Sequence, residues 1–140
     1  MRYIKCKGIK KEWSVITLGC WQIAPSEGWG NICSPQSADT VVKTALEFGI
    51  SAFDTAEGYG DGESERRLGK ALGHKNQDVI IISKIWPDAS LTSADYHKRL
   101  NNSLKALSRD YVDVYLVHFP STYFNSIEQS EKLCTLMGEL

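Results

Sequence analysis

The run Val79-Ile80-Ile81-Ile82-Ser83-Lys84 limits the architecture more than any other stretch of the chain. A continuous β-branched segment marks a strand buried on both faces, the condition of a parallel sheet covered by helices. The flanking sequence repeats the theme. Compact apolar runs at 16–20, 50–54 and 111–117 are each followed by a helical pattern, at a spacing of about thirty residues. Ser37 reads as the N-cap of a helix with apolar Val41, Val42, Ala45 and Leu46 and a stop at Gly49. A second helix is expected from about Ser64, as N-cap, to Leu72, with Glu65 in its positive first turn. Thr92-x-x-Asp95 opens a third helix striped by Tyr96, Leu100, Leu104 and Leu107, and Ser126-x-x-Gln129 caps a fourth carrying Leu133, Leu136, Met137 and Leu140. Residues 2–18 read as two short strands that turn near Lys7-Gly8. The expected order is a hairpin and then four strand–helix units with right-handed crossovers. No linker or low-complexity segment interrupts it, so residues 1–140 are expected to form one domain.

Composition excludes several classes. The 16 basic and 17 acidic residues form no basic stripe, which speaks against nucleic acid as a partner. No run approaches the ~18 apolar residues of a membrane span, and the first dozen residues lack the apolar core of a signal peptide. Cys6, Cys20, Cys33 and Cys134 form no C-x-x-C pair, which argues for reduced thiols in a cytoplasmic setting and against structural zinc. They are expected to be small buried hydrophobes.

The chemistry concentrates at the strand ends. The second strand ends in Asp54, the third in Lys84 and the fourth in His118, and Tyr59 lies in the glycine-rich loop after the second. Taken singly, Asp54 is as well explained as a turn former, Lys84 as a residue snorkelling to solvent, and His118 as a satisfied core histidine. Gly58, Gly60 and Gly62 do not make a G-x-G-x-x-G fingerprint and read as the freedom a tight turn needs. Jointly, the acid, the amine and the imidazole fall where parallel α/β folds do chemistry, so the functional reading is preferred. A phenol is a poor proton donor at neutral pH. An ammonium about 4 Å away, at an effective dielectric of about 20, favours the phenolate by about 4 kcal/mol. Lys84 beside Tyr59 would therefore suit the phenol for acid–base work, with Asp54 holding Lys84 and His118 directing a substrate oxygen.

The segments Leu18-Gly19-Cys20-Trp21, Phe53-Asp54-Thr55-Ala56-Glu57-Gly58-Tyr59-Gly60, Ser83-Lys84 and Asp113-Val114-Tyr115-Leu116-Val117-His118 resemble, in order, the successive motifs of the aldo-keto reductases. That resemblance implies an NADPH-dependent reductase of aldehydes or ketones on a (β/α)8 TIM-barrel, its N-terminal hairpin plugging the floor. It implies Tyr59 as proton donor, Lys84 and Asp54 as the groups that tune it, and His118 as the residue that orients the carbonyl. It also implies Gly19, Trp21 and Asp54 beside the cofactor. Trp21, Trp29, Trp86 and Phe119 would be the aromatic substrate pocket, although ordinary packing of a lid explains them too.

The chain departs from the family in length. It offers a hairpin and about four units, a half-barrel, where the family has eight. The absent half would carry the groups that grip the nicotinamide and phosphates, since phosphate sites of such barrels typically follow strands seven and eight. The expectation is weak NADPH binding and little activity from this chain alone, with two open strand edges that invite a homodimer or a complementing half-barrel. Two rivals stand beside this reading: a Schiff-base aldolase using Lys84, and a non-catalytic half-barrel that acts only through its edges.

Overall fold

The computed structural model describes residues 1–25, 33–86, 90, 92–119 and 124–140. The hairpin forms as expected: β1 (Tyr3–Ile4) pairs antiparallel with β2 (Trp13–Ser14). Gly8 takes the turn at φ +91°, a left-handed value that favours glycine. Four strands then line up in parallel in the order of the sequence: β3 (Leu18–Gly19), β4 (Ala52–Asp54), β5 (Ile80–Ile85) and β6 (Val114–Val117). Among the described residues β3 and β6 are the sheet's edges.

Between and after these strands run α1 (Pro35–Glu47), α2 (Glu63–Leu72), α3 (Ser93–Leu107) and α4 (Ile127–Gly138). Thr92 and Ser126 cap α3 and α4 as expected, accepting from Asp95 N and Gln129 N. Two other starts differ from expectation. The cap of α1 is Ser34, not Ser37, because Pro35 suits the first helical position, where no N–H is needed. The cap of α2 is Gly62 in the left-handed region, which leaves Ser64 inside the helix.

Side chains alternate across the sheet. Phe53 and Ile81 point to the helices and join Val42, Leu68 and Leu107 in the main core. Ala52, Ile80 and Ile82 point to the inner face, where Ile9 and Trp13 from the hairpin region pack on them. The hairpin therefore lies against the inner face near the start of the strands, the position expected of a floor plug. Tyr96, Ile85, Leu133 and Leu136 form a further cluster under α3 and α4. At Gly69 α2 lies close against the end of α3, since a Cβ there would stand 2.5 Å from the Leu107 carbonyl oxygen.

The last strand is shorter than the apolar run from Tyr111 suggests. Before it, the Asp113 side chain accepts the Ile81 N–H at 2.9 Å and salt-bridges to Lys11 and Arg109. The cysteines also diverge from expectation. Cys20 is buried, but Cys6 and Cys134 are exposed. Among the described residues no helix is long and apolar enough to cross a membrane.

Candidate active site

Register determines how the strand ends meet. Gly19 is level with Asp54, Asp54 with Ile82, and Ile82 with Val114. Lys84 therefore stands two residues beyond the level of Asp54, and is itself level with Leu116, so His118 stands two further. Each step lifts the functional residue by roughly 7 Å along its strand. The even offsets keep Gly19, Asp54, Lys84 and His118 on one face, the face opposite Phe53 and Ile81.

The lysine side chain spans the step. Lys84 Nζ donates to Asp54 Oδ1 at 2.5 Å, to the Thr55 carbonyl oxygen at 2.9 Å and to the Tyr59 hydroxyl oxygen at 3.2 Å. An ammonium has three donors, and all three are used. Its side chain is 12% exposed and that of Asp54 30%. The pair is thus partly screened, yet its direction into the site is set by three partners rather than one.

Tyr59 is held by its loop. Its ring stacks on Trp21 at 6.1 Å between centroids and meets the His118 ring edge-on at 5.1 Å. Gly60, Asp61 and Gly62 all have positive φ, so the chain turns sharply after Tyr59 and enters α2. A Cβ at Gly60 would stand 2.8 Å from Ala24 Cβ. Gly58 has a different reason to be glycine: a Cβ there would stand 2.6 Å from Trp86 Cε3, so the indole lies directly on that backbone.

His118 completes the rim. Its imidazole meets Trp86 edge-on at 4.9 Å and Phe119 at 5.6 Å. Burial, and then the charge of Lys84, hold its pKa below the usual 6.5, with Asp54 and Glu57 opposing. The ring is therefore neutral at neutral pH. Its Nδ1 is buried with no hydrogen-bond partner among the described residues.

Asp54, Tyr59, Lys84 and His118 accordingly come together on one rim, with Trp21, Trp86 and Phe119 around them. Gly19 leaves space beside Asp54, since a Cβ there would meet nothing within 4 Å. Trp29 lies outside the described residues. Cys20 is no nucleophile in this setting. Burial, with Asp54 next, pushes its thiol up to about 12. Among the described residues no cluster of His, Cys, Asp and Glu could hold a metal ion.

Sequence reasoning missed the supports. Thr55 and Ser64 share a buried hydrogen bond of 2.9 Å, and Ser64 Oγ donates to the Cys20 carbonyl oxygen at 2.6 Å, tying the start of α2 to the ends of β3 and β4. Glu65 stands in the first turn of α2 as expected and is buried there, accepting from Ser83 Oγ at 2.6 Å. Glu57 accepts from both Trp86 N and Arg99. A serine and a glutamate at adjacent positions of a charged helix give no signal that both are buried.

The parallel sheet thus carries helices on one face and, at one rim of the other, an acid, an amine and an imidazole with a loop phenol beside them. The sequence model of the aldo/keto reductase family matches residues 15–139, and the chain belongs to that family. The oxidoreductase Rv2298 of Mycobacterium tuberculosis is 37% identical over 122 residues, covering 86% of this chain and 37% of that protein. The aldo-keto reductase YhdN of Bacillus subtilis is 36% identical over 129 residues, covering 86% and 38%. Among solved structures, the thermostable aldo-keto reductase Tm1743 bound to epalrestat superposes with a TM-score of 0.79 at 33% identity, over 99% of this chain and 49% of that one. An aldo-keto reductase of Klebsiella pneumoniae in complex with NADPH gives 0.73 at 28% identity, over 94% and 44%. The chain thus spans less than half the length of these curated relatives, and its fold is part of their (β/α)8 barrel.

Proposed function

We propose that this rim is the reacting centre of an NADPH-dependent reductase of aldehydes or ketones. The observation that carries the reading is the contact of Lys84 Nζ with the Tyr59 hydroxyl at 3.2 Å while the same ammonium holds Asp54. Bound NADPH would supply a hydride to the carbonyl carbon. The oxygen then takes the Tyr59 proton, and the phenolate left behind is stabilised by the adjacent ammonium. Asp54 holds that ammonium and aims it. His118, neutral and with Nδ1 buried, offers Nε2 to the carbonyl oxygen and fixes its direction.

The residues fit the nicotinamide end of the cofactor. Gly19 leaves open space level with Asp54, and Trp21 gives an aromatic wall against Tyr59. The phosphates would be gripped by groups that the family places in later units, so tight NADPH binding is not proposed for these residues alone. The solved complex of the Klebsiella pneumoniae relative with NADPH supports the choice of cofactor. The rival aldolase reading needs Lys84 Nζ free to attack a carbonyl, whereas three oxygens already engage it.

The test is oxidation of NADPH with an aldehyde, followed by fluorescence, for the wild type and Y59F. Turnover by the wild type and its loss in Y59F, with nucleotide binding retained, is expected. Equal rates for the two proteins would overturn the reading.

A further inference from the structure

The loop after β4 and the chain after β5 are joined by a set of charges that the proposed chemistry does not use. Glu57 Oε1 accepts the backbone N–H of Trp86 at 2.6 Å and the Nη1–H of Arg99 at 2.9 Å. Arg99 Nε also reaches Asp95 Oδ2 at 3.4 Å, and that oxygen accepts from Ser90 N at 2.9 Å and Ser90 Oγ at 3.1 Å. One guanidinium on α3 therefore joins two carboxylates, one anchoring Trp86 and the other anchoring Ser90. The two carboxylates are met by two different nitrogens of the planar guanidinium, a spread that the single nitrogen of an ammonium does not reproduce.

The result reaches the rim through one ring. With its backbone fixed by Glu57, the Trp86 indole lies on Gly58 and meets the His118 ring at 4.9 Å and the Phe119 ring at 5.1 Å, each nearly perpendicular to it. The Glu57 backbone N–H bonds to the Lys84 carbonyl oxygen at 3.3 Å, so the clamp is bonded directly to the residue that meets Tyr59. Among the described residues the Tyr59 hydroxyl is bonded to Lys84 Nζ, and Glu57 bonds to Trp86 N and Arg99 instead.

We propose that Arg99, acting through Glu57 and Asp95, is a positioning residue that sets Trp86 against His118 and so determines how bulky a carbonyl the rim admits. The size-selecting part of this inference rests on the reading of the rim as a carbonyl-reducing centre; the placement of Trp86 does not.

Two measurements on the full chain separate these. The first is NMR: contacts between the Trp86 indole and the His118 ring are expected in the wild type and lost in R99M and E57Q. The Ile81 amide, bonded to Asp113 away from the clamp, serves as the check that each variant is folded. R99K, whose ammonium is a single point charge, should not restore the contacts. Retention of native contacts in R99M, or in E57Q should R99M fail to fold, would overturn the proposal. So would full restoration by R99K. The second is kinetic: R99M should change KM for benzaldehyde by about tenfold while kcat, and KM for propanal, stay within about twofold. Parallel changes for the two aldehydes would overturn the size selection. Absence of turnover in the wild type would count against the carbonyl reading, with the NMR result still deciding the placement of Trp86.

Discussion

Lys84 and Tyr59 touch through side-chain atoms at 3.2 Å although one stands on a buried strand and the other in a surface loop 25 residues earlier. The contact exists because β5 runs beside β4 one step higher, so a lysine stem reaching back toward Asp54 passes under the phenol. If the proposed role is right, Y59F removes the proton donor and should lower kcat by about 10²–10⁴-fold. K84M should lower it through the same atom. Steady-state rates with and without saturating NADPH give the answer, and a loss confined to KM in both variants would contradict it.

His118 offers a reading of the site's electrostatics that needs no turnover. Its folded pKa is held below 6.5 by burial first and by Lys84 second. K84M should raise the midpoint seen by NMR and D54N should lower it further, since Asp54 acts in the opposite sense. A depressed value also means that His118 contributes stability above pH 6.5 that is lost as the pH falls through the folded midpoint.

Glu65 gives the opposite sign. Burial raises its pKa above 4.5, against the hydrogen bond from Ser83. Its favourable contribution is present below pH 4.5 and is lost as the pH rises through the folded value. E65Q should therefore melt above the wild type at neutral pH, with the gap closing as the pH approaches 4.5. Thermal melts across that range check it, and a gap that widens toward acid would refute the sign.

Gly69 is a test of packing alone. A Cβ at 2.5 Å from the Leu107 carbonyl oxygen meets backbone, which cannot rotate away as a side chain can. G69A should cost about 1–3 kcal/mol by forcing α2 off α3, more than offsetting the gain in helix propensity. Urea titration measures it, and an increase in stability would show that the two helices separate without cost.

Asp113 balances two cations. It pairs with Lys11 at 2.8 Å and with Arg109 at 3.2 Å, and the Arg109 side chain is 0% exposed. D113A would leave the buried guanidinium without its counter-charge and the Ile81 N–H without its acceptor, so a loss of about 3–5 kcal/mol is expected. A loss below about 1 kcal/mol would mean that solvent screens the site as it does a surface pair.

Much of this was readable in advance, for reasons particular to each element. The β-branched run at Val79 could hardly be anything but a buried strand, and Thr92 and Ser126 cap through partners three residues away, within reach of local reasoning. The rim residues were legible as types in position: an acid, an amine and an imidazole, each after an apolar run. What stayed hidden depends on distant partners. Ser64 looked like a cap because serine caps helices, yet its hydroxyl goes to Cys20 and Thr55. Glu65 reads only as an acid in a helix's first turn, and the phase of α2 is what carries it to Ser83. Gly58 looked like a turn glycine, whereas an indole nearly thirty residues on is what forbids a side chain there.

The alternating pleat makes the rim sensitive to parity. Deleting one residue from β5 would send the Lys84 stem in among the helices and bring a serine or an isoleucine to face the phenol, while removing a consecutive pair would only lower the amine by one notch. Length variation in these strands should therefore come in twos or not at all.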